Sequence, residues 1–131
     1  MNGIFPWPVS EDQPIAWFSP DPRGVIETTD IHIPKSFKRF LNQHQYQVTF
    51  NTRFDEVITE CAKAKRPGQF GTWITPEMIE SYKMMFRDGY AYSVEVIQEN
   101  ELVGGLYGVS IGEFFSGESM FYKKPQASKL A

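Results

Sequence analysis

Apolar and polar positions change their period along this chain, and each change predicts a different element. Tyr46, Val48 and Phe50 alternate with Gln45, Gln47 and Thr49, the period of two expected of a half-buried strand. Directly after it, Phe54, Val57, Ile58 and Cys61 fall at i, i+3, i+4 and i+7, which predicts a helix with one apolar face and a cap from Asn51 or Thr52. Lys63 to Gly71 breaks at Pro67-Gly68 and reads as a loop. Thr75 then offers an N-cap, Pro76 suits the first turn, and Glu77 faces the positive end of the helix dipole. Ile79, Tyr82 and Phe86 form the apolar stripe of that helix, and Gly89 suits its stop. From Tyr90 the period returns to two. Tyr90–Ile97, Leu102–Ile111 and Phe114–Phe121 predict three strands of an antiparallel meander, joined by Gln98-Glu99-Asn100-Glu101 and by Gly112-Glu113.

The ends carry weaker patterns. Arg23 to Thr28 predicts a short strand around Val25 and Ile26, Ile31-His32-Ile33 an extended piece, and Pro34 the first position of a helix through Leu41. Before them, five of the nine prolines (Pro6, Pro8, Pro14, Pro20, Pro22) stand with Phe5, Trp7, Trp17 and Phe18, so residues 1–24 read as an ordered, packed loop. Ala127 to Ala131 resembles the first turn of a helix that has no body. The fold class is α+β: an antiparallel sheet flanked by helices over residues 25–131, incomplete at both ends.

Composition narrows the function classes. The chain has 131 residues, 41% of them apolar and 22% charged, which describes a globular domain rather than a disordered one. No apolar run is long enough for a membrane span, and the first residues lack the basic start and apolar stretch of a signal peptide. One cysteine, Cys61, excludes an internal disulfide and suits a reducing cytoplasm. The net charge of −3 gives no bulk support for nucleic-acid binding, so such binding must rest on local clusters. Two basic trios stand out, Lys35/Lys38/Arg39 and Lys63/Lys65/Arg66; Lys35 and Arg39, four apart, share a helix face.

Candidate chemistry is sparse. His32 and His44 lie far apart with no ligand at metal spacing, Cys61 reads as a buried structural thiol, and no cofactor or metal is expected. Gly104-Gly105-Leu106-Tyr107-Gly108 lacks the following helix and lysine of a phosphate loop, so its glycines mark a bulge or a close approach. Glu118 stands out, in a strand read as central and flanked by apolar residues. A carboxylate there needs a partner, which leaves structural pairing and ligand binding both open. Trp7, Trp17 and Trp73 read as packing residues, although Trp73 in its Gly71-Thr72 setting also suits stacking on a base.

Three stretches together resemble one family. They are Gly3-Ile4-Phe5-Pro6-Trp7 with Trp17-Phe18-Ser19-Pro20-Asp21-Pro22-Arg23; Gly71-Thr72-Trp73-Ile74-Thr75; and Leu102 to Gly108 through Gly117-Glu118-Ser119-Met120-Phe121. In this order they resemble the central portion of the leucyl/phenylalanyl-tRNA–protein transferases of the bacterial N-degron pathway. The resemblance implies a GNAT-like fold and transfer of leucine or phenylalanine from aminoacyl-tRNA to a protein with N-terminal arginine or lysine, marking it for degradation. It implies that Trp7 and Trp73 stack on the terminal adenosine, and that Leu106, Phe115 and Tyr82 line the donor pocket. Glu118 would bind the donor's amino group, and Lys35 and Arg39 the tRNA. The aspartate that the family assigns to catalysis lies in an Ile-Asp-Cys-Gln-type motif expected beyond Ala131, so no catalytic group is expected among these residues. A monomer without membrane contact is expected. A second reading is a non-catalytic aminoacyl-tRNA-binding relict or fragment. A third, a small-molecule GNAT acyltransferase, lacks its pyrophosphate-binding turn.

Overall fold

The computed structural model describes residues 4–8, 14–43, 45–65 and 72–131; the readings placed on Gly3, His44, Arg66, Pro67, Gly68 and Gly71 lie outside them. The chain divides into two compact units, Met1–Gln45 and Tyr46–Ala131.

In the first unit, β1 (Phe5–Trp7) pairs antiparallel with β2 (Ala16–Phe18), Phe5 opposite Phe18 and Trp7 opposite Ala16. The segment read as a loop therefore contains a small two-stranded sheet. Such a sheet tolerates Pro6, whose missing N–H matters only where a neighbouring strand needs it. The strand expected around Val25 is not formed: residues 23–27 are irregular and lead into a 3-10 turn, Thr28–Asp30. Val25 and Ile26 are 64% and 81% exposed, since no described strand lies alongside to bury β-branched side chains. α1 (Lys35–Gln43) forms where expected. Pro34 stands just before it, its carbonyl accepting from the N–H groups of Phe37 and Lys38 at 3.0 and 3.1 Å.

The second unit is a four-stranded antiparallel sheet in the order β3-β4-β5-β6, comprising β3 (Gln47–Phe50), β4 (Ala91–Gln98), β5 (Glu101–Ile111) and β6 (Phe114–Tyr122). The meander follows the predicted order. Its first turn is closed by Glu99 and Asn100, both at positive φ, as a tight hairpin turn requires, and its second by Gly112 at φ +61°. Among the described residues β6, which carries Glu118 and was read as central, pairs with β5 alone.

Strand alternation sends successive residues to opposite faces, and the helices divide accordingly. α2 (Phe54–Lys63) buries Phe54, Val57, Ile58 and Cys61, and α3 (Pro76–Arg87) buries Met78 and Tyr82. A Cβ at Gly105 would stand 3.1 Å from Val57, on the α2 face, whereas one at Gly104 would stand 2.7 Å from the Ala127 side chain. α4 (Ala127–Leu130) thus packs on the other face, where Ala127 joins Val96 and Val103 with Tyr46, Leu130 and Ala131 around them. Beyond α4 that face is open among the described residues: Phe50, Tyr92, Phe115 and Met120 are 66%, 38%, 45% and 51% exposed.

α3 is capped as its sequence predicts, Thr75 Oγ1 accepting from the Met78 N–H at 3.3 Å. α2 is not. Neither Asn51 nor Thr52 caps it; Arg53 holds the cap position without a side-chain bond. The anion at that end comes from across the sheet. Glu95 of β4, fully buried, accepts from the N–H groups of Thr52 and Arg53 at 3.4 Å. Its other donors are the hydroxyls of Thr49 and Ser93, each at 2.6 Å, and of Thr52 at 2.9 Å. Asn51 instead accepts from the Ser93 N–H at 2.9 Å, tying the end of β3 to β4.

Candidate functional site

The glycines of β5 and a bulge in β6 shape the candidate site. Tyr107 pairs with Ser119 and Gly108 with Gly117, so the register shifts and Glu118 becomes the extra residue of a β-bulge. Such a residue is aimed by its local backbone rather than by the pleat. The glycine-rich stretch combines both expected features, a bulge and close approaches. A Cβ at Gly108 would collide with the Ser116 carbonyl and stand 2.5 Å from the Phe115 ring.

From the α3 side the Tyr82 hydroxyl donates to Glu118 Oε2 at 3.0 Å. Tyr82 is 4% exposed, and its ring meets that of the fully buried Tyr107 edge-on at 5.1 Å. Burial pushes the Tyr82 phenol well above its ordinary pKa, and the charge and hydrogen bond of Glu118 push it the same way. The hydroxyl therefore stays protonated and acts as a donor. Half-buried Glu118 thus has a structural partner, one of the two roles its sequence left open.

Leu106 and Phe115 gather on the open face. A Cβ at Gly117 would stand 3.5 Å from Leu106 Cδ1 and 3.9 Å from Phe115 Cε1, so both border the residue just before Glu118. Met120, the cross-strand neighbour of Leu106, belongs to the same patch and is missed by the sequence reading. Its signal was present, because alternation across Ser119 and Phe121 turns Met120 outward. Tyr82 and Glu118 meet on one side of β6, and Leu106, Phe115 and Met120 on the other.

Trp73 is half-buried just ahead of α3, where the Thr72 hydroxyl accepts from the N–H of buried Ile74 at 3.1 Å. Within the first unit, Trp7 lines an apolar groove of about 610 Å³ with Phe5, Phe18, Ser19 and Pro20. Lys35, Lys38 and Arg39 are all exposed on α1, and Lys35 and Lys38 border a hollow with Ile31, His32 and Ile33. Lys63 of the second trio is drawn to Glu60 at 3.6 Å. Among the described residues no group of His, Cys, Asp and Glu is placed to hold a metal ion, and no helix is long and apolar enough to cross a membrane.

Curated relatives match nearly the whole of this chain. Leucyl/phenylalanyl-tRNA–protein transferases of Myxococcus xanthus and Pseudoalteromonas atlantica are each 52% identical over 99% and 100% of this chain, and over 55% of their own length. That of Flavobacterium johnsoniae is 51% identical over 99% of this chain and 61% of its own. The chain spans about half the length of the curated relatives it matches. Residues 1–21 match the model of the leucyl/phenylalanyl-tRNA protein transferase N-terminal domain, and residues 25–131 that of leucyl/phenylalanyl-tRNA protein transferase itself. On that match, the chain belongs to the leucyl/phenylalanyl-tRNA protein transferase family.

Proposed function

We propose that this chain supplies the donor-binding part of an aminoacyltransferase that moves leucine or phenylalanine from aminoacyl-tRNA to an N-terminal arginine or lysine. The observation that carries this reading is Glu118, aimed by a bulge and held by Tyr82, and next in sequence to Gly117, which Leu106 and Phe115 border. A carboxylate at the bulge and an apolar patch across the same strand match the two features of the donor, an α-ammonium group and an apolar side chain. Glu118 accepts a charge-assisted hydrogen bond from the ammonium, and Leu106 and Phe115 take the side chain. In the second unit Trp73 stacks on the terminal adenosine; in the first, Trp7 offers a stacking face and Lys35 and Arg39 meet backbone phosphates. In the transfer, the acceptor's neutral amine attacks the ester carbonyl, the amide bond forms as the ester C–O bond breaks, and the ribose oxygen takes up the amine's proton and leaves as the hydroxyl. The helix, meander and following helix of the second unit support a GNAT-like reading of its sheet.

Replacing Glu118 with glutamine tests the pocket. Binding of a non-hydrolysable phenylalanyl-adenosine amide, followed by calorimetry, should weaken by about 1.5–3 kcal/mol, with the fold retained because shape is conserved. Unchanged affinity would overturn the assignment.

A further inference from the structure

We infer that Tyr82 is a positioning residue whose buried hydroxyl fixes the Glu118 carboxylate, and that this sets the preference for donors bearing a free α-amino group. The inference rests on the donor-pocket reading of Glu118 and deepens it. Tyr82, at 4% exposure, offers almost no surface to a ligand, so any influence it has on one is indirect. That hydroxyl is 3.0 Å from Glu118 Oε2.

The need for an anchor follows from the bulge. A regular strand residue is oriented by pleat and cross-strand neighbours, whereas Glu118 lies between two register pairs and takes its direction from contacts outside the ladder. Tyr82 suits the task because its own ring is fixed. It packs edge-on against Tyr107 at 5.1 Å, and Tyr107 in turn packs edge-on against Phe54 of α2 at 6.0 Å. The chain of rings therefore runs from α2 through β5 to α3 and ends on the carboxylate. A carboxylate has about four lone-pair sites on two oxygens, so a hydrogen bond from Tyr82 does not by itself exclude an ammonium donor. Holding the carboxylate in one orientation beforehand lowers the ordering cost of binding.

Two probes and three variants separate this role from plain packing. The probes are the phenylalanyl-adenosine amide and its analogue with hydrogen in place of the α-amino group, titrated calorimetrically into the full chain. Tyr82→Phe should weaken the amine-bearing probe about tenfold and leave the amine-less probe unchanged, since loss of one hydrogen bond to a charged group is of that order. Equal weakening of both probes, or of neither, would overturn the inference. Glu118→Gln should abolish the preference for the amine. If that preference survives in Glu118→Gln, the donor-pocket reading itself fails; if it is lost there but intact in Tyr82→Phe, only the positioning role fails. In the Tyr82→Phe/Glu118→Gln double variant no further loss should appear, and additive losses would overturn the coupling.

Discussion

Glu95 and Glu118 are both carboxylates of the second unit's sheet, and their surroundings give them different roles. Glu95 is completely buried and meets five donors from Thr49, Thr52, Arg53 and Ser93. Burial pushes its pKa up, but the hydroxyls of Ser93, Thr49 and Thr52 and the Arg53 N–H outweigh that and hold it below the ordinary value. In the unfolded chain the carboxyl regains its ordinary, higher pKa, so the unfolded state binds the proton first as pH falls. The stabilisation is therefore fully present above the ordinary glutamate range and is lost as pH drops through the lowered native value. Glu95→Ala should destabilise the chain at neutral pH by about 2–4 kcal/mol, because several buried donors lose their acceptor. Urea unfolding at pH 7 and again at pH 4 checks this, and the gap between variant and parent should narrow at the lower pH. Its burial is tolerable because the α2 terminus and the hydroxyls of Thr49 on β3 and Ser93 on β4 converge on it, all but Ser93 supplied by distant sequence.

At the scale of elements, what was legible depended on how local the determinants are. The i, i+3, i+4, i+7 face of α2 and the cap of α3 are written within a few residues, and the structure has both. Thr75→Ala should therefore cost about 1 kcal/mol, read as a lower urea midpoint with an unchanged slope. The α2 cap was misread because its carboxylate stands some forty residues away on β4, and the Val25 strand because no strand lies alongside it. The glycines of β5 were legible as close approaches, though not what approaches. At Gly104 it is α4, whose Ala127 side chain would stand 2.7 Å from an added Cβ, with the Ala127 backbone carbon at 3.0 Å. Since backbone gives way less easily than a flexible side chain, Gly104→Ala should displace α4 and cost about 1–3 kcal/mol. Amide exchange at Ala131, whose N–H donates to the Ala127 carbonyl at 3.2 Å, should accelerate in that variant; unchanged exchange and stability would show that α4 shifts freely.

Over the whole molecule, the proposed donor pocket and the basic cluster belong to different units, the first in Tyr46–Ala131 and the second in Met1–Gln45. Their effects on binding should therefore separate by ligand. The chain's net charge of −3 gives no general attraction for a polyanion, so any affinity for tRNA must come from local positive charge. α1 offers such charge: the helix carries Lys35, Lys38 and Arg39 with no acidic residue, all three exposed, and Lys35 and Arg39 stand one turn apart. Each phosphate contact made by such a side chain releases counterion, and the logarithm of affinity falls with that of salt by about 0.9 per contact on a duplex. Replacing Lys35 and Arg39 together with alanine should lower affinity for an acceptor-stem RNA and flatten its salt dependence by nearly two such contacts. Affinity for the phenylalanyl-adenosine amide, which carries no phosphate, should stay the same. Titrations of both ligands across a salt series decide the matter. Equal loss of the adenosine probe would mean that α1 supports the fold rather than the RNA, and an unchanged slope would move the phosphate contacts to another part of the chain.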